Sequence, residues 1–337
     1  MIRFGVVGTG LIGSSYAKLI ALLPEMEVSA LCDLNADVLQ QRSEELGISA
    51  TFRDVRKMLS SGLVDAVVVT TPDFAHRDPV VAACEAGIDV IMEKPFGACD
   101  EDAVTMAEAI RESGIKCMVG YANRWTPAYV IAKQKISRGE IGSVVSMNTQ
   151  LNNTINSPTN MLKWASKSTS GWFLLSHALD LANWFCESRP CKVYGQAVKK
   201  KLVAMGIDTY DTIQALVTYE NDAILSLEST WVLPNTMPRA AYFKFEIVGA
   251  ESALFVDTHE QMLHQVTKER FSYEPTIAYQ DLNGPKGLGV DRLTEFARWV
   301  EDDAPPRVTF EDGYVETRTL SAIHESIKLG RPLEIAW

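Results

Sequence analysis

Long apolar runs, paired cysteines, a cationic excess and low-complexity tracts are all missing from this sequence. No stretch approaches the ~18 consecutive apolar residues that span a bilayer, so no membrane partner is expected. The apolar start Ile2–Val7 is short and runs into glycines, so it does not read as a signal peptide. The six cysteines, at 32, 84, 99, 117, 186 and 191, show neither Cys-x-x-Cys spacing nor a small disulfide framework. A reducing, cytoplasmic setting is therefore expected, and no metal site is read. His259, His264 and His324 likewise lack ligand spacing. Lys plus Arg total 32 against 43 Asp plus Glu, and the formal charge of -11 repels phosphate backbones, which argues against a nucleic-acid partner. The run Lys199, Lys200, Lys201 is too short to reverse this and reads as a solvated strand or turn.

What is present is a globular composition, 47% apolar and 22% charged over 337 residues, longer than one core usually serves. Up to about residue 120, short β-rich runs alternate with helical stretches, as parallel strands with crossover helices require. The strand candidates are Ile2–Val7, Glu27–Asp33, Asp65–Thr70, Asp89–Glu93 and Lys116–Gly120. The helix over Asp100–Ser113 has three acids at its first turn, an apolar stripe, and Gly114 as its stop. Asp78-Pro79 reads as the cap and first residue of another helix. A helix near Pro127–Ser137 then leads into longer alternating runs: Ser143–Leu151, Lys192–Lys201, Thr212–Tyr219, Ala223–Trp231, Ala241–Val248 and Ala253–Asp257. These predict a second, mostly antiparallel sheet, interrupted by a helix at Ser176–Phe185. Helical spacing returns from Gly289, breaks at Pro305-Pro306 and resumes over Tyr314–Leu329. The fold class is α/β: a doubly wound Rossmann domain over residues 1–121, then a second domain of helices and a large, mostly antiparallel sheet over 122–337. The carboxyl-terminal helices are available to pack back on the first domain.

Gly8-Thr9-Gly10-Leu11-Ile12-Gly13 matches GxGxxG between a strand and an apolar-periodic helix. In that context Gly8 allows the tight turn, Gly10 leaves bare backbone for a pyrophosphate, and Gly13 lets helix and strand approach. Asp33, about 20 residues on, ends the second strand, where a carboxylate accepts hydrogen bonds from ribose hydroxyls and repels a 2'-phosphate. NAD is expected over NADP, since Leu34 and Asn35 follow in place of a basic residue. A competing reading makes Asp33 only a helix cap.

Further motifs follow: Thr71-Pro72-Asp73-Phe74-Ala75-His76, Glu93-Lys94-Pro95, Asn123-Arg124, Gly139-Glu140-Ile141-Gly142, His177-Ala178-Leu179-Asp180 and Gly330-Arg331-Pro332. With the fingerprint they run through essentially the whole chain, which resembles the Gfo/Idh/MocA oxidoreductases, named for glucose-fructose oxidoreductase and inositol dehydrogenase. The resemblance implies sugar or cyclitol substrates, and dimers or tetramers formed through the open sheet. It implies Lys94 as the ammonium that hydrogen-bonds the reacting oxygen and His177 as the proton carrier. Leu11, Ile12, Thr71, Pro72, His76 and Glu93 join the glycines as cofactor contacts. Tyr121, Asn123, Arg124, Lys163 and Trp172 are read as substrate contacts, with Trp164 beside them; packing is the alternative for each aromatic. The chain departs from the family at Phe173, where the better-known members carry an Asp four residues before the histidine. Asp180 is the replacement acid that could orient His177.

The expected activity is hydride transfer between NAD(H) and a sugar, sugar acid or cyclitol. Two alternatives stay open: a lyase or glycosidase that uses NAD without net redox change, and a nucleotide-binding sensor without chemistry.

Overall fold

The computed structural model describes residues 1–258, 264–266, 268–269, 271–273, 278–282, 284–304 and 306–337, so His259 and Pro305 lie outside the described residues. The chain divides into two units, Met1–Trp125 with Thr276–Tyr314, and Thr126–Pro275 with Val315–Trp337.

The first unit alternates β1 (Ile2–Val7), α1 (Leu11–Ile20), β2 (Met26–Cys32), α2 (Ala36–Leu46), β3 (Thr51–Phe52), α3 (Val55–Leu59), β4 (Ala66–Val69), α4 (Arg77–Ala86), β5 (Asp89–Met92), α5 (Asp100–Ser113) and β6 (Cys117–Val119). The six strands order as β3-β2-β1-β4-β5-β6 and every pairing is parallel. Strand order reverses between β1 and β4, which opens a crevice at their carboxyl ends, where doubly wound sheets bind ligands. β4 shows why these runs are strands. Its sequence Ala-Val-Val-Val is fully buried on both faces, and each valine so buried contributes about 1.5–3 kcal/mol. Five helical strand-to-strand connections would be too many for a sheet with one wet face, and the near-continuous apolar runs match covered faces. Asp78 falls in the first turn of α4, but the helix begins one residue earlier, at Arg77, because a 3-10 turn at Asp73–Ala75 leads straight into it.

The second unit opens with α6 (Pro127–Ser137), β7 (Val144–Asn153), α7 (Ser176–Cys186), β8 (Pro190–Val198), α8 (Lys201–Ala204), β9 (Thr212–Tyr219), β10 (Ile224–Thr230), β11 (Ala241–Gly249) and β12 (Ala253–Asp257). Short strands β13 (His264–Val266) with β14 (Phe271–Tyr273), and β15 (Tyr279–Asp281) with β16 (Gly284–Lys286), form two separate pairs. The chain ends in α9 (Leu288–Asp302), α10 (Phe310–Leu329) and β17 (Leu333–Glu334). The large sheet has seven strands in the order β12-β11-β7-β10-β9-β8-β17, antiparallel except for β7 with β10. Its covered face is anchored by Tyr129 of α6 and Phe185 of α7 meeting Phe243 and Phe245 of β11, with ring centroids 5.4–6.5 Å apart. α9 belongs to the first unit and buries Val290, Leu293 and Phe296 in its core, where the Phe296 ring lies 6.1 Å from that of Phe4 in β1. No helix among the described residues is long and apolar enough to cross a membrane.

Candidate active site

The fingerprint loop is shaped by backbone crowding. Gly8 has φ +86, and a side chain there would also press on the Thr70–Thr71 backbone at 2.9 Å. A Cβ on Gly13 would overlap the carbonyl oxygen of Gly8 and approach Thr70 Oγ1 to 2.7 Å. Gly10 is different: it caps α1 at φ -65, and nothing lies within 4 Å of the place its Cβ would take. That open space lies at the helix amino terminus, where the first backbone N–H groups lack intrahelical partners and favour an anion. No acidic residue occupies the first turn to compete for them.

Asp33 closes the edge of this cradle. Its Oδ2 accepts hydrogen bonds from Thr9 N (2.7 Å) and Thr9 Oγ1 (3.1 Å), and its Oδ1 accepts one from Asn35 N at 2.9 Å. The cap of α2 is Asn35, whose side chain accepts from the Asp37 and Val38 amides, so the cap reading of Asp33 gives way. Leu11 and Ile12, in the loop itself, are 71% and 47% exposed. A bare-backbone cradle, a donor-rich helix end and an acid at the end of β2 fit a dinucleotide.

The loops after β4 and β5 are joined by His76. Its side chain is 1% exposed, with Nδ1 2.9 Å from the Pro95 carbonyl oxygen and Nε2 2.9 Å from that of Thr71. Burial pushes its pKa down, against the pull of Asp73 and the two carbonyls. The neutral imidazole carries a single N–H, so His76 donates to one of these two carbonyls and packs against the other, a placement that suits the packing reading of this residue as well as a cofactor-edge one. Thr71 and Pro72 form the turn itself: Thr71 Oγ1 donates to Ala75 O at 3.0 Å and Ala75 N to Pro72 O at 2.8 Å.

Glu93 is fixed on both sides. Its amide donates to Val69 O at 2.8 Å, while its Oε1 accepts from the Tyr16 hydroxyl at 2.7 Å and lies 3.5 Å from Arg292 Nη1. The same Arg292 nitrogen donates to Gly120 O at 3.1 Å, and its guanidinium lies 4.7 Å over the Tyr16 ring. Lys94 follows directly, joined to Pro95 by a cis peptide bond. No motif pointed to Tyr16 or Arg292. A legible signal was Arg292 sitting on the apolar stripe of α9 between Val290 and Leu293, a place for a charge only when it has a buried partner.

Tyr121 is fully buried within the hydrophobic core of the first unit, which favours packing over substrate contact. Asn123 and Arg124 lie in a 3-10 turn, Asn123 half-buried and Arg124 only 2% exposed. Arg124 donates to Asp312 Oδ1 at 2.9 Å and to Arg307 O at 2.7 Å.

In the second unit His177 is the second residue of α7, half-buried, with the buried Asp180 three residues on. The residues before it, Gly171–Leu175, form a π-helical turn, so the i, i+4 spacing of a regular helix does not carry over from position 173 to His177. Phe173 instead turns toward Trp231, ring centroids 6.4 Å apart. Trp172 stacks on His324 at 4.5 Å with planes 3° apart and is 7% exposed, so its aromatic face is already covered; packing replaces its reading as a substrate platform. The Leu320 carbonyl can only accept, so His324 Nδ1 donates to it (2.7 Å) and Nε2 accepts from Thr169 Oγ1 (2.7 Å). Burial lowers the His324 pKa to about 4. Lys163 is exposed and Trp164 half-buried. Among the described residues no cluster of His, Cys, Asp and Glu is placed to hold a metal.

Comparison with known proteins bears on this arrangement. The chain is similar to scyllo-inositol 2-dehydrogenase (NAD(+)) of Bacillus subtilis, 25% identical over 99% of this chain and 96% of that protein. It is also similar to 2,7-anhydro-N-acetylneuraminate hydratase of Escherichia coli, 29% identical over 54% of this chain and 48% of that protein. Among solved structures, scyllo-inositol dehydrogenase from Lactobacillus casei with bound NAD(H) and scyllo-inositol superposes with a TM-score of 0.83, covering 100% of both chains at 20% identity, and so shares the fold. The profile of the oxidoreductase family's NAD-binding Rossmann fold matches residues 2–121 and that of its C-terminal alpha/beta domain residues 133–335; the chain belongs to the Gfo/Idh/MocA family of NAD-dependent oxidoreductases.

Proposed function

We infer that the protein oxidises a secondary hydroxyl of a cyclitol or sugar, or runs the reverse reduction, with Lys94 and His177 as its reacting side chains. The observation that carries the reading is the uncrowded backbone at Gly10, next to Thr9, whose amide the Asp33 carboxylate holds, within a chain whose full-length relative is an inositol dehydrogenase. Bound NAD supplies the hydride acceptor. The chain's part is electrostatic and protic. The Lys94 ammonium hydrogen-bonds the substrate oxygen and stabilises the charge on it as the C–H bond breaks, while His177 takes the hydroxyl proton, so the carbon leaves as a ketone. Asp180 orients His177 in place of the acid absent at 173. Asn123 and Lys163 are the substrate contacts in this reading, while Arg124, 2% exposed and held by Asp312 and Arg307 O, serves packing by the same argument as Tyr121.

Leu216, Ile224, Val248 and Phe255 are exposed and share the uncovered face of the large sheet. That face supports a homodimer or homotetramer. Six unpaired cysteines support a reducing, cytoplasmic setting.

The test is a screen of inositols, sugars and sugar acids for a change in nicotinamide absorbance, followed by Lys94→Met. That variant should lose about 100- to 1000-fold in kcat while still binding NAD; turnover at the wild-type rate would remove Lys94 from the mechanism. The hydratase relative keeps a second reading in play, a lyase with no net redox change. Product formation without accumulating NADH, from protein carrying bound cofactor, would select it.

A further inference from the structure

We propose that Tyr16 and Arg292 are positioning residues for Lys94, acting through the carboxylate of Glu93. The inference rests on the reading of Lys94 as the group that touches the reacting oxygen. Tyr16 and Arg292 are 2% and 4% exposed, and both reach the same oxygen of Glu93, at 2.7 and 3.5 Å. Arg292 also holds Gly120 O at 3.1 Å, so one guanidinium ties the end of β5 to the end of β6. The space is full: a Cβ on Gly120 would come within 2.8 Å of Glu93 Oε1 and 2.9 Å of Arg292 Nη1.

Stability alone is a poor account of this cluster. Taking a carboxylate and a guanidinium out of water costs several kcal/mol, and apolar residues of similar volume often serve a core as well or better. What the charges add is fixed direction. A guanidinium and a phenol converging on one oxygen leave Glu93 a single arrangement, and its amide is pinned to Val69 O at 2.8 Å on the other side. The next peptide carries Lys94, so its starting point is set by contacts from α1 and α9.

The test uses the full-length, cofactor-free protein and the variants Tyr16→Phe, Glu93→Gln and Arg292→Lys, each checked for folding by circular dichroism. The rate of reductive methylation at Lys94 is followed by peptide mass spectrometry, with the exposed Lys18 and Lys57 as internal references. The expected result is a several-fold change at Lys94 alone. With NAD and a turned-over polyol, kcat should fall about 10- to 100-fold, as for a misplaced catalytic group, with KM for NAD nearly unchanged in Tyr16→Phe and Arg292→Lys. A general loss of stability would move the melting temperature and leave the relative labelling of Lys94 where it was. If Lys94 labels at the wild-type relative rate in all three folded variants, the proposal is overturned. Shifted labelling together with an active Lys94→Met would retain the clamp and reject the role of Lys94, so the two failures are separable.

Discussion

Two alanine substitutions three residues apart, at Gly10 and Gly13, should separate the fold of the fingerprint loop from its use. At Gly10 a methyl group meets nothing within 4 Å, and the residue already has φ -65, so Gly10→Ala should leave the melting temperature of the cofactor-free protein within about 1–2 °C of wild type. That methyl occupies the open space through which a pyrophosphate would approach bare backbone. Displacing the anion weakens charge-assisted hydrogen bonds worth about 1.5–3 kcal/mol each, and loss of one is about a 10- to 100-fold rise in Kd. At Gly13 the same methyl overlaps the Gly8 carbonyl and crowds Thr70 Oγ1 at 2.7 Å. Overpacking of this kind costs about 1–3 kcal/mol, offset by about 1 kcal/mol of helix propensity, so Gly13→Ala should lower the melting temperature by several degrees as well as weakening cofactor. Differential scanning fluorimetry without cofactor and NADH fluorescence titration read the two effects. The reasoning fails if Gly10→Ala binds NADH within about twofold of wild type, or if it melts as low as Gly13→Ala.

Asp33→Ala removes the carboxylate expected to accept from the ribose and to repel a 2'-phosphate, so the ratio of NADPH to NADH dissociation constants should fall by at least about tenfold; an unchanged ratio would show that Asp33 serves only its Thr9 and Asn35 contacts. His324 has its folded pKa lowered from 6.5 to about 4, so the unfolded chain binds the proton first and the neutral imidazole contributes stability above about pH 6.5. That contribution should be lost as pH falls from about 6.5 to about 4, at up to about 1.4 kcal/mol per pH unit. Denaturation curves of wild type and His324→Gln that run parallel across this window would refute it.

Much of the architecture can be read in the residues because local and global demands agree. β1 was bounded correctly at Ile2–Val7, and β9 and β12 at Thr212–Tyr219 and Ala253–Asp257, since each run has turn residues at both ends and a side-chain period that suits its burial. β3, only Thr51–Phe52, has no period to detect. The π-helical turns at Ser157–Met161 and Gly171–Leu175 have no sequence signature distinct from an α-helix or a loop. The one parallel pair of the large sheet, β7 with β10, is a choice of partners across a long separation, which alternation along a strand does not encode.

The same division runs through the site. Gly8, Gly10, Gly13 and Asp33 were legible because backbone geometry permits few alternatives there, whereas Tyr16, Arg292 and His324 matter through contacts 77 to 199 residues away. Phe173 joins the two kinds of information. Read along the chain it is a missing acid; in the fold its ring lies against Trp231, which is fully buried and donates its indole N–H to Tyr210 O at 2.6 Å. A carboxylate at 173 would sit beside that buried ring and lose part of its solvation. Phenylalanine and tryptophan therefore make a consistent apolar pair. Under the proposed mechanism the duty of orienting His177 passes to an acid on its own helix, and Asp180, three residues on and 1% exposed, is the residue proposed for it.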